Sequence, residues 1–146
     1  MAKKILLVIA FLSVLGIVDA SYLTYHALAK LPLPCTILEG CNAVAASPYS
    51  KVFGVPLSAF GILFYLGVFL LAIIFLFKQN RVIGFSLRFF ALIGFVLSVY
   101  FTYLQGFVIK AFCVYCIASA IISTIIFILS FLIKNEGELA KKTTVS

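Results

Sequence analysis

Charged residues are scarce in this sequence. Only 10% of its 146 residues are Asp, Glu, Lys or Arg, whereas 65% are hydrophobic and the mean hydropathy is +1.28. A water-soluble domain of this length needs a polar surface around its core, and too few charges are present to make one. The composition therefore excludes a soluble globular protein and indicates that lipid surrounds the chain.

Long polar interruptions are also few. Four stretches reach the roughly 20 apolar residues that are needed to cross the hydrocarbon of a bilayer. The break before the last stretch is short, so the third and fourth helices are expected to be antiparallel neighbours. The sequence predicts one domain, residues 1–146, that folds as an all-α integral membrane bundle of four transmembrane helices. The predicted helices are residues 5–28, 55–77, 89–108 and 111–133, with an outer loop at 29–54.

Acidic residues number four against eleven Lys and Arg, which gives a net charge of +7. A basic excess can indicate nucleic acid binding, but these cations flank the hydrophobic stretches, so we expect no nucleic acid partner. Because cytoplasmic loops of membrane proteins are enriched in Lys and Arg, both termini are predicted to be cytoplasmic. This topology leaves Lys30, Lys51 and Lys110 outside. The cations predicted to lie inside are Lys3, Lys4, Lys78, Arg81, Arg88, Lys134, Lys141 and Lys142.

The N-terminal stretch has a second interpretation. Lys3 and Lys4, the apolar run after them and the small-residue segment at 18–20 resemble a secretory signal with a cleavage site. However, apolar character continues to Leu28, and the apolar core of a signal is usually only about 7–15 residues long. We therefore expect this stretch to be retained as the first helix.

The only four cysteines form two pairs, and neither pair is predicted to be cytoplasmic. Cys35 and Cys41 fall in the outer loop, where they can close a small disulfide loop within reach of a soluble partner. Cys113 and Cys116 form a CxxC motif at the outer end of the fourth helix. Free backbone N–H groups and the positive dipole end of a helix stabilise a thiolate. This placement predicts a reactive dithiol with a lowered pKa.

Four cysteines could also form a zinc site or two structural disulfides. Structural zinc sites usually have tighter spacing than the five-residue gap between Cys35 and Cys41, so no metal is expected. Two inert structural disulfides remain an alternative, which the placement of the CxxC at a helix N-terminus disfavours. Residues 42–52 are predicted to form an interfacial half-helix that lies over the mouth of the bundle.

The order of these motifs resembles the vitamin K epoxide reductase family. The resemblance is carried by CxxxxxC in the first outer loop, by Ser47-Pro48, by the segment FGVPLSAFG at 53–61, and by CxxC on the fourth helix. It spans roughly residues 15–120. A lone CxxC is common, whereas this ordered set is specific.

The resemblance implies a thiol oxidoreductase with a four-helix bundle around a quinone of the ubiquinone or menaquinone type. Bacterial members reoxidise a secreted thioredoxin-like (DsbA-like) protein, which implies a prokaryotic plasma membrane and support of disulfide bond formation. Some bacterial members carry a fused thioredoxin-like domain that these 146 residues do not contain, so we expect the partner to act in trans. By resemblance Cys41 exchanges with the partner, Cys35 relays to Cys113, Cys116 faces the quinone, and Ser47 lies near the quinone.

Two departures bear on the substrate. Animal enzymes that reduce vitamin K epoxide carry an Asn and a Tyr at the positions of Leu57 and Ala120, so epoxide reduction is disfavoured here, although vitamin K epoxide or quinone reduction stays an alternative. The other bacterial family of four-helix quinone-linked thiol oxidases has its CxxC first, the reverse of the order here. A different class, a small proton-coupled transporter with structural disulfides, is kept open by Asp19, the only acid in a predicted span.

Several other polar and aromatic residues are expected to have no role in the chemistry. His26 is expected to be a solvated histidine near the end of the first helix. Arg88 is expected to extend to the cytoplasmic headgroups. Most tyrosines near the outer boundary are expected to anchor the chain at the membrane interface. These are Tyr22, Tyr25, Tyr100, Tyr103 and Tyr115.

Overall fold

The computed structural model of the protein describes the backbone of residues 2–35 and 40–145 and the side chains of residues 3–35 and 40–133. Within this part of the chain, four helices are long and apolar enough to cross a membrane, which confirms the predicted all-α four-helix bundle. A short helix, α2, lies in the loop after the first of them. The helices are α1 (Ala2–Ala29), α2 (Cys41–Ala46), α3 (Leu57–Phe77), α4 (Arg81–Tyr103) and α5 (Val114–Val145).

Helix α1 packs mainly against α3, and α4 packs mainly against α5. Helices α1 and α3 have almost no amphipathic stripe, so the face that they bury is decided by how well side chains fit together. Buried side chains from every long helix form one core cluster. Its largest members are Leu6 and Ile9 of α1, Tyr65 of α3, Leu87 of α4 and Ile126 of α5.

Large apolar side chains also cover the outer surface of the bundle. Leu63 is 65% exposed, Phe85 66% and Phe77 84%. An apolar surface of this extent is not stable against water in a monomeric soluble protein. Because the helices satisfy their own backbone hydrogen bonds, the same surface is compatible with lipid.

The third transmembrane helix begins earlier than predicted. Helix α4 starts at Arg81 rather than at residue 89, and the Asn80 side chain caps it by accepting a hydrogen bond from the Val82 N–H at 3.2 Å. Arg88, expected to extend toward the headgroups, donates from Nε to the Ser130 carbonyl oxygen of α5 at 3.4 Å. The predicted span starts later because it follows the apolar run after Arg88, whereas the helix also includes the turns that carry Arg81 and Arg88.

The loop between α1 and α3 contains less helix than predicted. Helix α1 ends where Lys30 adopts a left-handed conformation (φ 55°), and Pro32 and Pro34 prevent it from resuming. The expected half-helix over 42–52 is confined to α2, because Pro48 has no N–H to continue it. A 3₁₀ turn, Pro48–Ser50, and a hairpin of β1 (Lys51–Val52) and β2 (Val55–Pro56) complete the loop.

The connection from α4 to α5 is a π-helical turn, Leu104–Ile109, followed by Lys110 in a left-handed conformation (φ 56°). It brings α5 back beside α4, as the short break in the sequence predicts. Helix α5 continues to Val145, so the polar tail at 141–146 is helical up to that residue, and the side chains of the tail lie outside the described residues.

Candidate functional site

The first cysteine pair is a disulfide. Cys35 and Cys41 are bonded across the segment that joins α1 to α2, and their Cα atoms are 6.3 Å apart. Cys41 is the first residue of α2 and is fully buried, whereas Cys35 is only partly buried. Cys35 is therefore the more accessible end of this disulfide.

The second pair consists of two free thiols at the start of α5. Cys113 directly precedes the helix, and its carbonyl oxygen accepts a hydrogen bond from the Ile117 N–H at 3.0 Å, which makes it the N-cap residue. Its sulfur accepts hydrogen bonds from the Cys116 thiol and from the backbone N–H groups of Cys116 and Tyr115. The CxxC spacing thus places the second thiol as a donor to the first.

The hydrogen bond from the Cys116 thiol is the main cause that lowers the pKa of Cys113 to about 7. Burial acts in the opposite direction, because a low-dielectric environment disfavours the thiolate. The two backbone N–H groups add to the lowering, and the negative charge of Asp19 opposes it. The lowered pKa that the sequence predicts is confirmed for Cys113, with the neighbouring thiol as its leading cause.

Gln105 holds the N-terminus of α5 in place. Its buried side-chain oxygen accepts a hydrogen bond from the Cys113 N–H at 3.0 Å, and its carbonyl oxygen accepts one from the Ala111 N–H at 3.0 Å. A π-helical turn places this side chain where a regular α-helix would not. Gln105 is not among the site residues predicted from the sequence, although an amide within an apolar span is a signal that could have identified it.

The two cysteine pairs are packed together. Cys41 and Cys113 belong to one buried cluster with Leu33, and the other two cysteines pack against this cluster. The close packing of the two cysteine pairs depends on the residue before each buried cysteine, Gly40 before Cys41 and Phe112 before Cys113. A Cβ atom at Gly40 would lie 2.6 Å from the backbone nitrogen and oxygen of Phe112, so only glycine permits this contact.

Two side chains hold the ends of the disulfide loop: Asn42 joins the two ends to each other, and Tyr115 joins one of them to α5. The Asn42 side chain accepts a hydrogen bond from the Leu33 N–H at 2.9 Å and donates to the Leu33 carbonyl oxygen at 3.5 Å. The Tyr115 hydroxyl donates to the Pro34 carbonyl oxygen at 3.2 Å. Tyr115, which the sequence assigns to the interfacial belt, therefore fixes the residue before Cys35. The sequence analysis gave Asn42 no role.

A cavity of about 710 Å³ opens beside the cysteines. Its walls come from all four long helices, and α2 with the following loop covers it. Cys41, Cys113 and Cys116 line it, and most of its remaining surface is apolar. Small-molecule sites commonly have volumes of about 300–1,000 Å³ and apolar walls with a few polar groups. The cavity therefore suits a flat, largely apolar ligand.

Some polar groups of the cavity have hydrogen-bond partners and others do not. The Tyr65 hydroxyl lies 2.8 Å from the Ser119 carbonyl oxygen, to which it donates, and 2.7 Å from the Ser119 hydroxyl. By contrast, Asp19 Oδ2, His26 Nδ1 and Ser123 Oγ are buried without a hydrogen-bond partner among the described residues. Unpaired buried polar atoms are unfavourable unless a ligand or the chemistry of the site uses them. His26, expected to be solvated, is only partly exposed, and its Nδ1 is buried.

Three further positions singled out in the sequence also line the cavity. Ser47 faces it while its hydroxyl donates to the Val44 carbonyl oxygen at 2.7 Å. Leu57 of α3 and Ala120 of α5, the two departures from the animal enzymes, also line the cavity. The cavity therefore has an apolar surface where those enzymes carry an amide and a hydroxyl.

Metal binding finds no support in the geometry. Among residues 3–35 and 40–133, no group of three or more His, Cys, Asp or Glu side chains is arranged to hold a metal ion. Two of the cysteines are already bonded to each other. A disulfide beside two free thiols is an arrangement in which thiol–disulfide exchange can occur.

The sequence matches the vitamin K epoxide reductase family over residues 7–131, which is most of the chain. Membership of this family implies a membrane thiol oxidoreductase, and the cluster of a disulfide and two free thiols beside a cavity agrees with that activity. The chain belongs to the vitamin K epoxide reductase family.

Proposed function

We propose that this protein is a thiol:quinone oxidoreductase that reoxidises a secreted thioredoxin-like protein and passes its electrons to a membrane quinone. The observation that carries the proposal is that the Cys35–Cys41 disulfide packs against the Cys113–Cys116 dithiol at the edge of an apolar cavity. Sulfur pairs in contact can exchange. A quinone, being lipid-soluble, can reach a cavity inside the bundle from the bilayer.

Burial favours Cys35 as the sulfur that the partner attacks. A partner thiolate forms a bond to the Cys35 sulfur, the Cys35–Cys41 bond breaks, and Cys41 leaves as a thiolate. The second partner thiol then displaces Cys35, so that the partner is oxidised and the first pair is reduced. The family resemblance implies the opposite order, with Cys41 facing the partner, but Cys41 is fully buried.

The second exchange passes the electron pair inward. Cys41 attacks Cys113 of the oxidised second pair, Cys116 leaves as a thiolate, and Cys35 then displaces Cys113 to re-form the first disulfide. The stabilised thiolate of Cys113 makes it a good leaving group here, because a thiol of lower pKa leaves faster.

In the last step the Cys113–Cys116 dithiol is oxidised to a disulfide. Two electrons and two protons pass to the quinone, which becomes a hydroquinone. Cys116 is proposed to face the quinone, with Ser47 near it, since both line the cavity. The apolar Leu57 and Ala120 surfaces support a quinone rather than vitamin K epoxide as the substrate. The quinone is of the ubiquinone or menaquinone type.

We place the cysteine end of the bundle outside the cytoplasm, in a prokaryotic plasma membrane. The α3–α4 turn at the opposite end carries Lys78 and Arg81, and the start of α1 carries Lys3 and Lys4. Such a bias favours a cytoplasmic location for that end. The cysteine end then faces a compartment in which glutathione and thioredoxin do not keep thiols reduced. A thioredoxin-like partner acting in trans meets Cys35 there.

The test is a purified-protein assay that follows quinone absorbance while a reduced thioredoxin-like protein is supplied. Short-chain ubiquinone and menaquinone analogues are compared as acceptors. The expected result is one quinone reduced for each disulfide formed in the partner. Cys113→Ala and Cys116→Ala are each expected to abolish quinone reduction by any dithiol donor. Continued turnover in either variant would refute the assignment.

A further inference from the structure

Asp19 is the only carboxyl group among the described side chains, and the proposed electron path gives it no role. It belongs to α1, lines the same cavity as the two free thiols, and one of its oxygens is buried without a hydrogen-bond partner. A carboxyl group inside a membrane-spanning helix is expensive to maintain and is a candidate for function by default. Asp19 thus lines the space that a ligand would fill while one of its oxygens has no hydrogen-bond partner.

Tyr65 links α1 to α5 at one depth in the bundle. Its ring lies against Gly16, where a Cβ atom would come within 2.6 Å, and its hydroxyl donates to the Ser119 carbonyl oxygen. Asp19 follows Gly16 by three residues, and Cys116 precedes Ser119 by three. Because the helices are antiparallel, both residues lie about 4.5 Å, or roughly one turn, nearer the cysteine end than Tyr65.

A contact between Tyr22 of α1 and Tyr115 of α5 indicates the same relative position of these two helices along the bundle axis. The rings of Tyr22 and Tyr115 are 5.3 Å apart. Tyr22 lies three residues beyond Asp19 on α1, and Tyr115 directly precedes Cys116. The backbone of Asp19 is therefore within about one helical turn of the depth of Cys116, and the side chains of both residues line the same cavity.

The other ionisable groups of the cavity are less suited to move a proton at this depth. The Tyr65 hydroxyl is engaged with Ser119. The His26 ring is seven residues, or about 10 Å, further toward the cysteine end, against Tyr22 and Tyr25. Lys30 and Lys51 line the mouth as cations.

On the basis of the proposed function, we propose that Asp19 is a proton-transfer residue, which passes the proton of the Cys116 thiol to a quinone oxygen. The S–H bond of Cys116 breaks, and the Cys113 thiolate forms the S–S bond with Cys116. The electron pair reduces the quinone, and an O–H bond forms with the proton that Asp19 carries. The second O–H bond of the hydroquinone forms with a proton that enters from solvent at the mouth of the cavity, which balances the proton that Cys113 released earlier. Asp19 ends in its initial state.

The test is a single-turnover measurement on the full-length protein in lipid nanodiscs. The protein is reduced with dithiothreitol, freed of reductant, and mixed anaerobically with a short-chain ubiquinone analogue whose absorbance is followed. Asp19→Asn is expected to lower the rate about 100-fold or more, the usual contribution of positioned acid–base groups. Quinone affinity and exchange of Cys35 with a thioredoxin-like protein are expected to be unchanged. Asp19→Glu, which keeps a carboxyl group, is expected to restore most of the rate.

Ser13→Ala is the matched control, since Ser13 is buried on α1 and bonded to its own helix at Ile9, away from the cavity. Should Asp19→Asn misfold, Asp19→Ser replaces it under the same criteria. Quinone reduction by Asp19→Asn at the wild-type rate would overturn this inference alone, as would equal loss of quinone binding and thiol exchange. Wild-type protein that reduces no quinone would instead overturn the proposed function.

Discussion

The backbone of Gly40 lies directly against the backbone of Phe112. A Cβ atom at Gly40 would be 2.6 Å from both the nitrogen and the oxygen of Phe112, closer than real Cβ contacts allow. Each residue immediately precedes a buried cysteine, Cys41 on one side and Cys113 on the other. The absence of one side chain therefore brings the two redox pairs into contact.

Gly40→Ala is expected to separate the pairs. Both partners of the clash are backbone, so neither can move cheaply, and overpacking of this kind costs about 1–3 kcal/mol. Electron transfer from the first cysteine pair to the second is expected to slow about tenfold or more. Rapid acid quenching, followed by mass spectrometry of alkylated cysteines, measures this step directly.

Gly61→Ala provides the control, because a Cβ atom there would meet the Ala20 Cβ at 3.5 Å, an ordinary contact. This variant is expected to transfer electrons between the pairs at the wild-type rate. Reduction of Cys113 and Cys116 by a small dithiol is expected to be normal in Gly40→Ala. Transfer between the pairs at an unaltered rate in Gly40→Ala would show that the close approach is not required.

Gln105→Leu is expected to destabilise the N-terminus of α5. The substitution leaves the buried Cys113 N–H without its acceptor, which costs about 1–3 kcal/mol. Gln105→Glu keeps an acceptor oxygen at the same position and serves as the matched variant. Thermal unfolding in detergent checks the prediction, and an equal melting temperature for Gln105→Leu and the wild type would contradict it.

The bundle was predictable from the sequence because spanning a bilayer imposes a length and a composition that few other folds share. The motif order likewise predicted that the cysteines and Ser47 belong to one site, and Ser47 lines the same cavity as Cys41, Cys113 and Cys116. The starting point of α4 was not predictable, since Arg88 is accommodated by the Ser130 carbonyl oxygen of a neighbouring helix. A contact between helices of this kind has no local signature.

The relation between the two cysteine pairs was also beyond the sequence. The burial of Cys41 relative to Cys35 depends on α2 beginning at Cys41 and on Gly40 meeting a segment more than 70 residues away. The π-helical turn that aims Gln105 at Cys113 likewise breaks the regular helical period. Pattern analysis assumes that period, so it cannot place these side chains.

The pH dependence of Cys113 follows from its lowered pKa of about 7. The thiolate is expected to be present above this pH and to be lost as the pH falls through it, so the thiolate absorbance in the ultraviolet declines over that range. Cys116→Ala removes the hydrogen bond that is the main cause of the shift, so the midpoint is expected to move to higher pH. Cys116→Ser keeps a hydroxyl donor and is expected to move it less. Identical midpoints in the two variants would contradict this explanation.

The orientation of the bundle predicts which side of the membrane exposes the reduced cysteines. Cells treated with a permeant reductant are expected to label with an impermeant maleimide added from outside. Quadruple replacement of the cysteines by Ser is the control for labelling elsewhere. Labelling of the wild type only in inverted vesicles would place the cysteine end in the cytoplasm and remove the basis for a secreted partner.

The order of the first exchange is decided by a pair of matched variants. In Cys41→Ser the accessible Cys35 is expected to accumulate as a mixed disulfide with the thioredoxin-like partner, because the buried thiol that would resolve it is absent. In Cys35→Ser the remaining Cys41, which packs with Cys113, is expected to form an internal disulfide with Cys113 instead. Non-reducing electrophoresis with mass spectrometry distinguishes the two products. A partner adduct on Cys41 in Cys35→Ser, with none on Cys35 in Cys41→Ser, would restore the order implied by the family resemblance, since the partner would then have reached the sulfur that the fold buries.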